Sequence, residues 1–220
     1  KFHIPKNSHG EEWLYFTGNS LGLQPKETKN YIQQELDDWA KLGVEGHFEA
    51  KNPWMPYHEF LTETMAEIVG AKPIEVVIMN TLTTNLHLLM VSFYQPTILK
   101  HKILIESDAF PSDRYAVETQ LRFHGFDPTE SLIEWSPRKG ETLLNIEDLE
   151  SLLQSNGNEI ALLLVGGVNY YTGQYLDLKK ISELGHQKGC KVGIDLANGV
   201  GNIQPNLHES GVDFAAWCTY

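Results

Sequence analysis

From about residue 70 onward, short apolar runs alternate with stretches of helical spacing, and that alternation restricts the chain to few architectures. The candidate strands are Glu75–Met79, Lys102–Glu106, Ser131–Trp135, Ile160–Val165, Lys191–Asp195 and Asp213–Cys218. Between them the spacing predicts helices over Thr83–Tyr94, Asp113–His124, Asn145–Ser155 and Leu178–Lys188. Asn145, with Asp148 three residues on, reads as an N-cap with an acidic first turn. Gly189 stands where a C-cap is expected. Such a pattern means an α/β fold, a mostly parallel sheet flanked by helices on both faces.

The first 70 residues differ. Lys26–Leu42 is a helix candidate with Pro25 near its start and Ile32, Leu36 and Trp39 on one stripe. Gly43–Pro56 reads as a loop, and Tyr57–Val69 as a second helix stopped by Gly70. The expected organisation is an N-terminal helical arm over 1–70 and a sheet domain over 71–220.

Charge and composition exclude several classes of function. A net charge of −12 repels phosphate backbones, so nucleic-acid binding is not expected, although helix N-termini can still hold a small anion. The two cysteines, Cys190 and Cys218, form no ligand pair, and the nine histidines show no metal-ligand spacing, so no metal is expected. No apolar run approaches the ~20 residues of a membrane span. The N-terminus lacks a signal-peptide core, so the expectation is a cytoplasmic protein that does not engage membranes.

In open parallel sheets, ligands bind beyond the carboxyl ends of the strands. Asn80-Thr81-Leu82-Thr83-Thr84-Asn85 suits either plain helix capping or a phosphate held by N–H and hydroxyl groups. In Ser107–Asp113, Phe110 is either a packing residue or a stacking platform, and Asp113 caps the next helix or meets a ligand. Gly166-Gly167 is a turn or a point of close backbone approach. Asp195, closing the Lys191–Asp195 run, is a helix cap or a carboxylate for a protonated ring nitrogen. There is no P-loop, GxGxxG, HExxH or GxSxG.

Taken in order, Phe16–Pro25, Asn85–Met90, Ala109–Asp113, Tyr171–Gln174, Asp195–Ala197 and Val212–Tyr220 resemble the kynureninases, pyridoxal-phosphate enzymes of the aminotransferase-like fold. The resemblance spans nearly the whole chain and implies the large domain of that fold, without its C-terminal small domain. It also implies pyridoxal 5'-phosphate as cofactor and hydrolytic cleavage of kynurenine or 3-hydroxykynurenine to an anthranilate and alanine, within tryptophan catabolism and NAD biosynthesis. Carried over residue by residue, it assigns Leu82 and Thr83 to the cofactor, Thr83 near its phosphate. Phe110 stacks on the pyridine ring with Asp113 in the same wall, and Asp195 pairs with the pyridine nitrogen. Tyr220 reaches the phosphate and assists proton transfer, and Ser20 and His47 lie near the substrate. A homodimer is implied in the same way.

Three positions depart from the family pattern. The family carries a lysine, which binds the cofactor covalently, directly after the tyrosine matched by Tyr220. If nothing follows Tyr220, this chain is inactive alone. Asn198 stands at a usual histidine, which leaves a cofactor contact that cannot titrate near neutral pH. Gly166 replaces a hydroxyl residue, leaving its N–H to serve. Two other readings stand beside the enzyme: a related family member such as a cysteine desulfurase, and a catalytically incomplete fragment.

Overall fold

The computed structural model describes residues 1–220. The chain forms two compact units: Lys1–Glu63 with Tyr220, and Thr64–Thr219.

In the first unit, helix α1 runs Thr28–Leu42 and the short helix α2 runs Gly46–Glu49, so the segment expected as a loop is partly helical. Glu35 on α1 accepts hydrogen bonds from Trp54 Nε1 (2.9 Å) and Asn52 Nδ2 (2.8 Å), and Asp38 accepts from the Lys51 N–H (3.1 Å). These bonds fold Lys51–Trp54 back onto the helix. A Cβ at position 46 would overlap the Trp54 ring, which is why a glycine stands there. The predicted stripe of Ile32, Leu36 and Trp39 is on α1, but none of it is buried. The expected helix Tyr57–Val69 is split into a 3-10 turn, Tyr57–Glu59, and α3, Thr62–Val69.

The second unit is a sheet with helices on both faces. Its elements are α4 (Leu82–Phe93), β1 (Lys102–Glu106), α5 (Pro111–Phe123), α6 (Pro128–Ser131), β2 (Leu132–Trp135), α7 (Ile146–Asn156), β3 (Ile160–Gly166), α8 (Leu178–Gln187), β4 (Lys191–Asp195), α9 (Leu207–Ser210) and β5 (Phe214–Ala216). The five strands lie in the order β2-β1-β3-β4-β5, and every pairing is parallel. Strands buried on both faces need no polar alternation, and so Ile160–Val165 is a continuous apolar run.

Each face has its own core. Leu86 and Met90 of α4 and Ala116, Val117 and Leu121 of α5 pack with Ile103, Ile105, Leu162 and Leu164. Leu149 and Leu153 of α7 and Leu178, Ile181 and Leu184 of α8 pack on the opposite face with Leu104, Leu163, Val165 and Ile194. The link from β1 to β2 therefore runs over one face and the link from β2 to β3 over the other. The chain reverses direction across the sheet between β1 and β3, the position at which such folds bind ligands beyond the strand ends.

One predicted strand is absent. Glu75–Met79 does not join the sheet: Pro73–Glu75 is a 3-10 turn, and the Glu75 side chain accepts from the Lys72 N–H (2.9 Å). Val76 packs with Ala66 and Val69 in a small separate cluster, while Val77 and Met79 are exposed. Asn145 does occupy the N-cap of α7, but its amide donates to Glu141 Oε2 (2.7 Å) and makes no capping bond. Gly189, with φ +67°, directly follows the C-cap residue Lys188, and its N–H donates to the His186 carbonyl (2.9 Å).

Asp213, ahead of β5, accepts from Lys191 Nζ (2.6 Å) and the Val192 N–H (2.8 Å) and is hydrogen-bonded to His186 Nε2 (2.8 Å). Burial raises its proton affinity, but the bonds from Lys191 and His186 outweigh that and hold the carboxyl below its ordinary range. The folded group is the stronger acid. Its contribution is therefore present above the unfolded value of about 4 and is lost as pH falls through the folded value. Asp213→Asn is expected to flatten the fall in melting temperature between about pH 5 and pH 3. Identical acid limbs for variant and parent would mean that the Asp213 carboxylate contributes nothing.

Candidate active site

The carboxyl ends of the strands carry three buried acidic side chains. Glu106 closes β1, Asp195 closes β4, and Asp113 lies in the first turn of α5; each is 5–7% exposed. The apolar run Lys-Ile-Leu-Ile-Glu drives Glu106 to the end of a core strand, and Lys-Val-Gly-Ile-Asp does the same for Asp195. Pro111 at the start of α5 sets the helix in which Asp113 stands, with Phe110 as N-cap residue.

Asp113 and Asp195 are hydrogen-bonded to each other, which two carboxylates can do only by sharing a proton. Burial is the main cause that raises the proton affinity of both, and the shared bond raises Asp113 while lowering Asp195. The proton thus resides on Asp113, and Asp195 is the acceptor. Asp195 also accepts the Ala197 N–H (2.7 Å). Asp113 takes a longer contact from the Ser112 hydroxyl (3.3 Å) and caps no helix. Glu106 reaches across to β3 and accepts the Gly166 N–H with both oxygens (2.9 and 3.2 Å). Burial pushes its carboxyl up to about 7.

The other predicted residues are distributed over both units. Phe110 is 48% exposed and meets Tyr170 edge-on, with ring centroids 5.2 Å apart. Leu82 and Thr83 open α4, and Leu82 packs against the same core as α5. No side chain caps that helix: the Thr81 hydroxyl donates to Thr84 Oγ1 (3.1 Å) instead. Asn80, at φ +49°, and Asn85, whose amide donates to the Met79 carbonyl (2.8 Å), fix the approach to the helix. The first-turn N–H groups of α4 can therefore receive an anion. Asn198 is half-buried just after the Asp195 turn. Ser20, His47 and Tyr220 belong to the first unit and are exposed there; His47 Nδ1 is 2.8 Å from the Val44 carbonyl, and its ring meets Trp54 at 5.5 Å.

Glu106 is the functional candidate that the sequence did not single out. Its one signal is a charged residue closing an otherwise apolar strand. The three acids are not placed to hold a metal ion together, and no helix is long and apolar enough to cross a membrane.

Over its whole length the chain is 55% identical to a kynureninase of Myxococcus xanthus and 48% identical to one of Mus musculus. It covers 51% and 50% of those proteins, so it spans about half the length of the curated relatives it matches. A cystine C–S lyase solved with its product cysteine persulfide matches 90% of this chain and 51% of its own, with a TM-score of 0.75 at 16% identity. An apo cysteine desulfurase from Thermococcus onnurineus NA1 matches 99% of this chain and 53% of its own, with a TM-score of 0.72 at 19% identity. At such identities these two structures speak for the fold alone. The family described as Aminotransferase class-V matches residues 14–219, and the chain belongs to it.

Proposed function

We propose that the full-length protein is a kynureninase. In this reading it is a hydrolase that uses pyridoxal 5'-phosphate to cleave the Cβ–Cγ bond of L-kynurenine or 3-hydroxykynurenine, releasing anthranilate or 3-hydroxyanthranilate and L-alanine. The observation that carries the reading is identity of about half to kynureninases over the whole chain. The donor set fits the cofactor. A buried carboxylate pair suits a cationic ring nitrogen, a half-exposed aromatic suits a planar ring, and an uncapped helix start suits a phosphate.

When bound, pyridoxal phosphate supplies an electron-accepting ring conjugated to the substrate's α-carbon. Asp195 would hold the ring nitrogen in its protonated form, and the hydrogen bond from Asp113 would fix that carboxylate's orientation. Phe110 would stack on the ring face. Leu82, Thr83 and Asn198 would contact the cofactor, Thr83 near its phosphate, and on the family resemblance Tyr220 would reach the phosphate and assist proton transfer. Ser20 and His47 contact the substrate. In this reading the full-length protein acts as a cytoplasmic homodimer.

The test is an assay of the full-length protein with pyridoxal phosphate on L-kynurenine, 3-hydroxykynurenine and L-cysteine. Release of an anthranilate with stoichiometric alanine is expected. Turnover of cysteine with no kynurenine cleavage would overturn the reading in favour of a desulfurase.

A further inference from the structure

Resting on the cofactor reading above, we propose that Glu106 is a positioning residue for the cofactor ring. Pinned by the Gly166 N–H beside Asp195, it supplies a second negative charge that keeps a cationic ring nitrogen bound at the Asp113–Asp195 pair.

The placement is built and not incidental. Glu106 is 5% exposed, yet its side chain spans from the end of β1 to the end of β3. Gly166, which gives it the N–H, is paired in register with Asp195. A Cβ at Gly166 would stand 2.9 Å from Glu106 Oε1, so the glycine makes room for the carboxylate. The backbone continues the link, because the Gly167 N–H donates to the Asp195 carbonyl (2.7 Å). Glu106 thus sits at the reversal between β1 and β3, where a ligand crevice is expected.

The surroundings leave its charge unneutralised by protein cations. The titratable groups acting on Glu106 are Asp195 from β4 and Asp108 from the loop after β1, and Glu106 in turn acts on Asp113 of α5. From β3 it receives only the Gly166 N–H. Arg114, next to Asp113, is paired with Glu118 and Glu134. A small cavity of about 10 Å³, room for about one water, touches Glu106, Ser107, Asp108, Asn169, Thr172 and Gln174. Buried carboxylates without a counter-cation repel one another, and a cationic ring entering beside them relieves that repulsion.

The experiment uses full-length protein loaded with pyridoxal phosphate labelled with ¹⁵N in the ring. The ring-nitrogen chemical shift is followed against pH in parent, Glu106→Gln and Glu106→Asp. Glutamine can still accept the Gly166 N–H but carries no charge, so the pH midpoint for loss of the ring proton should fall by about one unit. Aspartate keeps the charge and should hold the midpoint near the parent's. It also keeps the test decisive if the glutamine variant does not fold, since a midpoint a full unit lower in Glu106→Asp would then overturn the proposal. A Glu106→Gln midpoint equal to the parent's would show that Glu106 only braces Gly166. Failure of the parent to take up the labelled cofactor would instead overturn the cofactor reading, and this proposal with it.

Discussion

Replacing Asp195 by asparagine in the full-length protein is expected to lower turnover of kynurenine by about 10²–10³-fold, the usual cost of removing one preorganised electrostatic partner of the reacting system. Asparagine is close in size to aspartate and can still accept the Ala197 N–H through its amide oxygen, so the fold around the β4 end should survive. What it loses is the charge that, on the proposed reading, would hold a ring nitrogen protonated, and the acceptor for the Asp113 proton. The loss should fall on kcat, because the ring acts as an electron store only after substrate is bound. Steady-state kinetics on parent and variant check this. A variant within a few-fold of the parent would remove Asp195 from the chemistry.

Trp135→Ala is expected to have the largest effect on stability, about 3–5 kcal/mol, as for buried aromatic-to-alanine changes in general. Trp135 ends β2 and is 1% exposed, packed in the core that Leu149 and Leu153 of α7 share. Its Nε1 also donates to the Asn145 carbonyl (3.1 Å), the N-cap residue of α7. One side chain thus fixes both the edge strand and the start of the helix that crosses beneath the sheet. Truncation leaves a cavity and removes that bond together. Trp135→Phe, which keeps most of the volume, should lose clearly less. Denaturant titration compares the three proteins; an alanine variant with the parent's midpoint and slope would refute the assignment.

The strands were legible because strands buried on both faces must be continuously apolar, and Lys102–Glu106, Ile160–Val165 and Lys191–Asp195 are such runs closed by turns. Glu75–Met79 has the same chemistry but starts at a proline turn and lies beside no strand, and a single sequence does not display its pairing partner. The stripe on α1 has the right period, yet period alone does not say what a helix face meets. Asp195 is singled out as a carboxylate closing a strand, with a helix cap as the other reading, and the resemblance to the kynureninases gives it a role. Its bond to Asp113 could not be read there, since the two are far apart in sequence and only the packing of α5 over the sheet brings them together. Glu106 was hidden for the same reason: its role depends on a bare N–H at Gly166, and backbone groups leave no trace in composition.

The reversal between β1 and β3 also governs how the chain is made. The Glu106 and Gly166 partners are 60 residues apart, and the β2 segment is synthesised before the β3 segment that takes the other edge of β1. At roughly 5–20 residues per second of synthesis, the inner edge of β1 stays open for several seconds while the β2 and α7 segments emerge. For that interval an apolar strand is available to any passing chain, so the nascent protein is most exposed to misassembly between the completion of β2 and the arrival of Ile160–Gly166.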